Sequence, residues 1–152
     1  MAERPAGAAT CRLARAGLAE ALREHARGAY CTEAAVELLI GHRRWLERGD
    51  FVSCFVGVLD VEPGGAPMAM LDWSGALEAL DRGELACSSS EGQVLALAAS
   101  LAAGIAVDLQ DALCGLDLAN TMLLATAVVH ATGHRCSAVE MSGGRDVASS
   151  TP

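Results

Sequence analysis

The sequence contains no lysine, and all 11 of its cationic side chains are arginines. This absence excludes chemistry that needs a lysine amine, such as Schiff-base formation, and it excludes a phosphate-binding loop with its lysine. The arginines are also unevenly placed, because none occurs between Arg82 and Arg135. The stretch between these two residues therefore carries acidic side chains and two histidines but no permanent positive charge.

Aromatic residues are scarce as well, with two Phe, two Trp and one Tyr against 30 Ala. Because Ala buries little apolar surface, the core must depend on Leu, Val and Met and on helices that approach closely. A chain of 152 residues is long enough for one domain. A protein with so little buried apolar area gains stability when it buries more of its surface against a partner subunit.

Long apolar runs and export signals are also absent. The longest run, Val94–Val107, has 14 residues, whereas a membrane-spanning helix needs about 20. Charged residues between Arg12 and Glu24 interrupt any signal-peptide core. The six Cys residues are scattered without a Cys-x-x-Cys pair, which is typical of reduced thiols. We therefore expect a cytoplasmic protein that does not bind membranes.

The net charge of −8 argues against nucleic acid as a partner. Residues 1–31 hold five Arg and three Glu, a balance of +2, which leaves −10 for residues 32–152. Proteins that bind DNA or RNA neutralise phosphates with Lys and Arg, and the main body of this chain lacks such a patch. No nucleic-acid partner is expected.

The chain divides into two tails, an N-terminal helix and one domain. Residues 1–9 and 135–152 have the composition of disordered tails. Residues 10–31 predict a weakly amphipathic helix, rich in Arg, at the periphery of the fold. Residues 32–134 predict a single helical domain with a β-hairpin at 51–71.

The domain begins with a helix predicted over Glu33–Arg48, with Thr32 as its N-cap and Gly49 at its C-terminal end. The sequence then becomes rich in β-branched and aromatic residues over Phe51–Val61, which predicts a strand. Met68–Leu71 can return as its partner after a turn rich in Pro and Gly. A single buried strand without a partner is the alternative, and the hairpin is preferred.

Four further helices are predicted from capping residues and from the glycines that end them. Their N-terminal signals are Asp72 or Ser74, the capping box of Ser88 and Glu91, Asp108 and Asp117, and their stops are glycines 83, 104, 115 and 133.

One stripe of the last predicted helix consists of Leu118, Met122, Ala125 and Val129, which we assign to the core. The predicted fold class is mainly α (α+β), a compact helical bundle of about six helices with one small β-hairpin.

His130, His134 and Cys136 are the candidate metal ligands. Two His residues four apart on a helix face one direction, and a thiolate could add a third zinc ligand. Gly133 opposes this interpretation, because it should end the helix between the two His residues. The alternative is a His that completes the last helical turn.

Other catalytic constellations are weaker. Asp108, Asp111 and Asp117 offer carboxylates, but their positions before apolar helical stripes are typical of N-caps. The motifs of a serine nucleophile and of a dinucleotide-binding loop are absent. We expect no catalytic residue and no cofactor.

The segments Leu109–Cys114 and Leu118–Ala131 imitate a helix-turn-helix. The second helix offers Asn120, Thr121 and His130 for reading bases and carries no cation, so core packing is the preferred interpretation.

A candidate interaction surface consists of Arg43, Arg44, Trp45 and Trp73. Both Trp residues lie on amphipathic helices, where burial is the usual outcome, but an exposed one would anchor a protein interface. We expect a non-enzymatic protein-interaction or regulatory protein with a protein partner or a homo-oligomer. The alternative is a zinc module or metal-dependent enzyme, and a weaker one is a helix-turn-helix regulator of DNA.

Short segments across the domain carry a family resemblance: Ile40–His42 with Trp45–Leu46, Asp50–Val52, Asp72–Trp73, Cys87–Ser88 with Glu91, Leu97–Leu101, Val107–Leu109, Gly115–Asp117 with Asn120, and His130–Ala131 with Gly133. Together they resemble a group of small uncharacterised proteins from actinobacteria such as streptomycetes. The similarity covers about residues 33–135. It implies no activity and no catalytic residue.

Overall fold

A computed structural model describes residues 15–59 and 63–134. In chain order, its elements are α1 (Arg15–Ala26), α2 (Tyr30–His42), α3 (Arg44–Glu47), α4 (Gly49–Phe55), β1 (Val56–Leu59), β2 (Met68–Leu71), α5 (Trp73–Asp81), α6 (Ser89–Ala103), α7 (Leu109–Cys114) and α8 (Leu118–Ala131). The predicted fold class, mainly helical with one small antiparallel sheet, is confirmed. The tails predicted at 1–9 and 135–152 lie outside the described residues.

Helix α2 occupies the centre of the fold. It packs against α1, α6 and α8 and buries five consecutive or neighbouring apolar side chains, Ala34, Ala35, Val36, Leu38 and Leu39. Gly41 allows α8 to approach closely, because a Cβ atom at this position would lie 2.7 Å from Cδ2 of Leu123. Small residues on α2 therefore set the spacing between the central helices.

The single helix predicted over Glu33–Arg48 is divided into α2 and α3. This division is one reason why the described chain has eight helices and not the predicted six or so. Helix α2 begins at Tyr30, with Ala29 in the N-cap position, so the prediction of Thr32 as the cap was wrong. It ends at His42, because Arg43 has a positive φ of 67°. This turn starts α3 in a new direction and brings Trp45 into the core, where only 1% of the residue is exposed.

Helix α4 replaces the first part of the predicted strand, and Gly49 begins this helix instead of ending the previous one. The aromatic side chains explain the difference. The ring centroid of Phe51 lies 5.0 Å from that of Trp45 and 5.4 Å from that of Phe55. A helix places residues 51 and 55 on one side, so burial of these rings outweighs the β-propensity of the segment.

The two strands form the predicted hairpin, but β1 begins only at Val56. Val56 pairs with Leu71 and Leu59 pairs with Met68 in antiparallel register. Helix α1, which was expected at the periphery, packs against β2 and α2. Helix α1 therefore covers the hairpin. Its buried residues belong to the main core and are Leu18, Ala21, Leu22 and Ala26.

The N-caps predicted for the last four helices are present in the structure. Ser88 and Glu91 form a reciprocal capping box on α6. The side chains of Asp72, Asp108 and Asp117 each accept a hydrogen bond from a backbone N–H in the first turn of the following helix. These local signals were predictable because each depends on residues within one turn.

The described helices are all short, and the longest, α6, has 15 residues. Within residues 15–59 and 63–134, none combines the length and the apolar character that crossing a membrane requires.

We expect the Trp45→Phe variant to lose about 3 kcal/mol of unfolding free energy. The indole Nε1 donates a hydrogen bond to the carbonyl oxygen of Glu91 at 2.9 Å, and Phe would leave that oxygen without its donor and create a cavity. The measurement is urea denaturation followed by far-UV circular dichroism. Trp73→Phe, at a half-buried position, is the matched control with a loss of about 1 kcal/mol or less. Equal losses for the two variants would contradict this account of Trp45.

Candidate interaction surface

Helix α8 contains no Asp, Glu, Arg or Lys over its 14 residues. It begins at Asp117, whose Oδ1 accepts a hydrogen bond from the backbone N–H of Asn120 at 2.8 Å. Its inner side packs against α2 and α6 and buries Asn120, Leu124 and Ala127. Apolar residues also lie on its other side, and a helix with apolar residues on both sides is normally buried on both.

The opposite side of this helix is exposed. Leu118 is 77% exposed and Met122 is 52% exposed, Ala125 is also exposed, and Val129 is half-buried. We name these four residues the outer face of α8. The sequence stripe that they form was assigned to the core, and this assignment was wrong. Within the described part of the chain, three of the four residues of the outer face are thus open to solvent.

Exposed apolar side chains continue on α7, immediately before α8 in the chain. Leu109 and Leu113 lie one helical turn apart and are 57% and 44% exposed, whereas Ala112 between them is buried. Both helices therefore present leucines to solvent on the side away from the core. A concentration of exposed apolar residues of this kind marks a binding surface more often than a catalytic one.

The acidic residues near this surface have structural roles. Oδ1 of Asp108 accepts a hydrogen bond from the backbone N–H of Asp111 at 3.1 Å, and Asp117 caps α8. Thus the carboxylates that could have formed a catalytic pair are N-terminal residues of two short helices, as the sequence predicted.

The predicted surface of Arg43, Arg44, Trp45 and Trp73 is not a single exposed patch. Trp45 is buried and hydrogen-bonded, so its assignment to a surface was wrong. Trp73 is half-buried, while the two arginines are exposed. Nε of Arg44 lies 3.7 Å from Oε1 of Glu91, which ties this side chain to the start of α6.

The candidate metal ligands lie at the end of α8. Nε2 of His130 is 2.9 Å from Oε2 of Glu33, and Nδ1 of His134 is 3.0 Å from Oγ1 of Thr132. The helix ends at Ala131, so His134 lies beyond it. Cys136 is outside the described residues. Among the residues described, no group of three or more His, Cys, Asp or Glu is placed to hold a metal ion.

A cleft of about 560 Å³ lies between α1, α2 and α8. The charged side chains that line it are paired with neighbouring side chains, and Arg27 pairs with Glu24 outside the lining. Arg23 binds Glu37 through Nε at 2.5 Å and Nη2 at 3.0 Å, and this hydrogen bonding raises the pKa of Arg23. Glu33 and His130, which also line the cleft, contact each other through Oε2 and Nε2 at 2.9 Å. Since these polar side chains are engaged by one another, they serve as bridges between the helices.

Comparisons with models of protein families, with curated proteins and with solved structures found no match. The resemblance to actinobacterial proteins therefore stays a prediction. Of the features above, the exposed apolar side chains of α7 and α8 have no role within the described fold.

One feature of the sequence, other than its periodicity, points to this surface. The total absence of charge along α8 indicates that both sides of the helix need cover. Which side faces the core was not predictable from the stripe, because both sides carry apolar residues.

We expect the unfolding free energy to fall as the pH is lowered through about 6.5, since burial lowers the pKa of His42 from its ordinary value of 6.5. Glu91 and Asp117 act in the opposite direction, and Arg44 adds to the lowering. The unfolded chain then takes up a proton that the folded chain does not, which favours unfolding below this pH. In addition, Nδ1 of His42 has no hydrogen-bond partner within the described residues.

The measurement is urea denaturation at about pH 7.5 and about pH 5.5. The decrease in unfolding free energy from the higher to the lower pH should be smaller in His42→Gln than in the wild type. His25→Gln, at an exposed position on α1, is the control and should keep the wild-type dependence. An unchanged dependence in His42→Gln would contradict the assignment.

Proposed function

We propose that this protein is a non-enzymatic interaction protein and that it binds a protein surface with the outer face of α8. The observation that carries the proposal is a helix without charged residues whose outer side is open: Leu118 and Met122 are 77% and 52% exposed. Exposure of these side chains to water is unfavourable, and a partner that covers them would gain the free energy of burying apolar surface.

The expected gain is large enough for specific binding. Covering a large apolar side chain that is half to three-quarters exposed contributes about 1–2 kcal/mol. Leu118 and Met122 are two such side chains on adjacent turns, and the exposed Leu113 precedes them in the chain. Apolar anchors on neighbouring turns of one rigid helix resemble the helix-in-groove type of recognition.

The charged residues support an interaction role over catalysis. Glu33 is paired with His130, and Arg23 with Glu37, so these groups stabilise contacts between helices. Asp108 and Asp117 cap helices. An acid or base that serves a substrate would need a free position in a cleft, and these side chains are engaged elsewhere.

The side chains that a helix-turn-helix would use are also engaged. Asn120 is buried and donates through Nδ2 to Oγ of Ser90 at 2.9 Å. The hydroxyl of Thr121 donates to the carbonyl oxygen of Asp117 at 2.8 Å, and His130 binds Glu33. These contacts, together with the lack of cations on α8, favour a protein partner over DNA.

We further propose a reducing compartment, the cytoplasm, as the location of the protein. Four Cys residues of the described chain are free thiols, and three of them are exposed: Cys31, Cys54 and Cys114. Exposed thiols persist in reducing compartments and become oxidised in export pathways. The actinobacterial family remains part of this proposal on the basis of sequence resemblance alone.

Carbene footprinting tests the proposed function. In dilute purified protein, Leu118, Met122 and Ala125 of the outer face should be labelled strongly, because they are exposed. In the intact cells that produce the protein, the same side chains should be protected, because a partner covers them. Met70, a similarly exposed residue on the hairpin, serves as the internal reference. Equal labelling of the outer face in the two samples would overturn the proposal.

A further inference from the structure

We propose that the partner of the outer face is a second copy of this chain, packed so that the two α8 helices run antiparallel. This inference rests on the proposed function and names the occupant of the same surface. It follows from three properties of α8: the spacing of its outer residues, their sizes, and the charge of the residues that flank them.

The spacing of the outer face is that of a coiled-coil seam. The residues at 118, 122, 125 and 129 follow each other at intervals of four, three and four, which correspond to heptad positions d, a, d and a. This series reads the same in both directions. In an antiparallel pair, Leu118 therefore meets Val129 of the second copy, and Met122 meets Ala125 of the second copy.

The sizes of the paired side chains are complementary. Each layer combines a larger residue with a smaller one, Leu118 with Val129 and Met122 with Ala125. Alternation of large and small residues lets two helices interdigitate without voids or overlap. A parallel pair would instead place two Met122 side chains in one layer and two Ala125 side chains in another, which fills space less evenly.

The flanking positions allow this contact without repulsion. Ala119, Thr121, Thr126 and Val128 border the seam, and none of them is ionisable. The two threonine hydroxyls already donate to the helix backbone, Thr121 to Asp117 at 2.8 Å and Thr126 to Met122 at 2.9 Å. Their burial therefore leaves no donor unsatisfied. Antiparallel helices also align their dipoles favourably.

The helix is ordered before the second copy arrives. It is packed against α2 and α6, and Asn120 fixes its rotation through the hydrogen bond to Ser90 on α6. An isolated 14-residue helix would have to fold on binding, at a cost in conformational entropy, whereas α8 avoids most of this cost.

The contact is small. A seam of 14 residues is only about 21 Å long. One seam of this length buries less than the area of about 800 Å² per partner that is typical of stable interfaces. We therefore expect a dissociation constant of about 1–100 μM and a reversible equilibrium between monomer and dimer. Sedimentation velocity of the full chain from about 1 to 500 μM should show this equilibrium.

Charge placed in the seam tests the antiparallel arrangement. Met122→Glu and Ala125→Arg, made separately, should each weaken dimerisation at least about tenfold, because like charges then meet near the two-fold axis. The double variant should return to within about threefold of the wild type, because each Glu then faces an Arg of the second copy. In a parallel pair the double variant would bring like charges together and stay monomeric.

Met70→Glu is the matched control, since it makes the same substitution at a residue that is 43% exposed on the hairpin. It should dimerise like the wild type. Far-UV circular dichroism and thermal unfolding should show that all four variants fold. Loss of dimerisation in Met70→Glu with no effect of Met122→Glu would place the contact on the hairpin and overturn the inference.

Three other outcomes separate this inference from the proposed function. A chain that stays monomeric to 500 μM while its outer face is protected in cells would overturn the second copy and support a different protein partner. A double variant that stays monomeric while both single variants disrupt the dimer would overturn the antiparallel arrangement. Protection of the outer face in dilute monomer would mean that the chain covers it with its own ends, which overturns both proposals.

Discussion

The first turn of α6 is the point on which the arrangement of the other helices depends. Its carbonyl at Glu91 accepts the indole hydrogen bond of Trp45, and its capping box joins Ser88 to Glu91. Ser90 in the same turn accepts a hydrogen bond from Asn120 of α8. A single helix start thus fixes α3, α6 and α8 relative to each other. Because the indole of Trp45 is buried, its N–H has little access to water and depends on this acceptor.

The hydrogen bonds of Asn120 also determine which side of α8 is exposed. Asn120 is the only Asn of the chain, and its side chain must point inward to reach Ser90. At 100° per residue, Leu118 and Met122 then lie on the opposite side of the helix. One polar contact therefore decides the rotation of a helix whose apolar residues would fit the core in either orientation. The outer face is a consequence of that contact.

Local signals in the sequence were sufficient for the starts of the last four helices and insufficient for their faces. Asp72, Asp108 and Asp117 act within one turn of their own position, so their caps were predictable. The identity of α4 depends on the ring of Trp45, which comes from an earlier helix. The exposed side of α8 depends on Ser90, which lies 30 residues from Asn120. Contacts of this length leave no local pattern in a single sequence.

The composition that makes the core thin also favours the proposed interface. Alanines on α2 let the neighbouring helices approach closely, but each alanine buries little apolar area. The hydrophobic stabilisation of the monomer is therefore small. Helix α8 also carries large apolar residues, Leu118 and Met122, on the side away from the core. Covering them in an assembly adds burial that the monomer lacks, and mass action makes the added stability depend on protein concentration. Stability and recognition are in this way coupled through one helix.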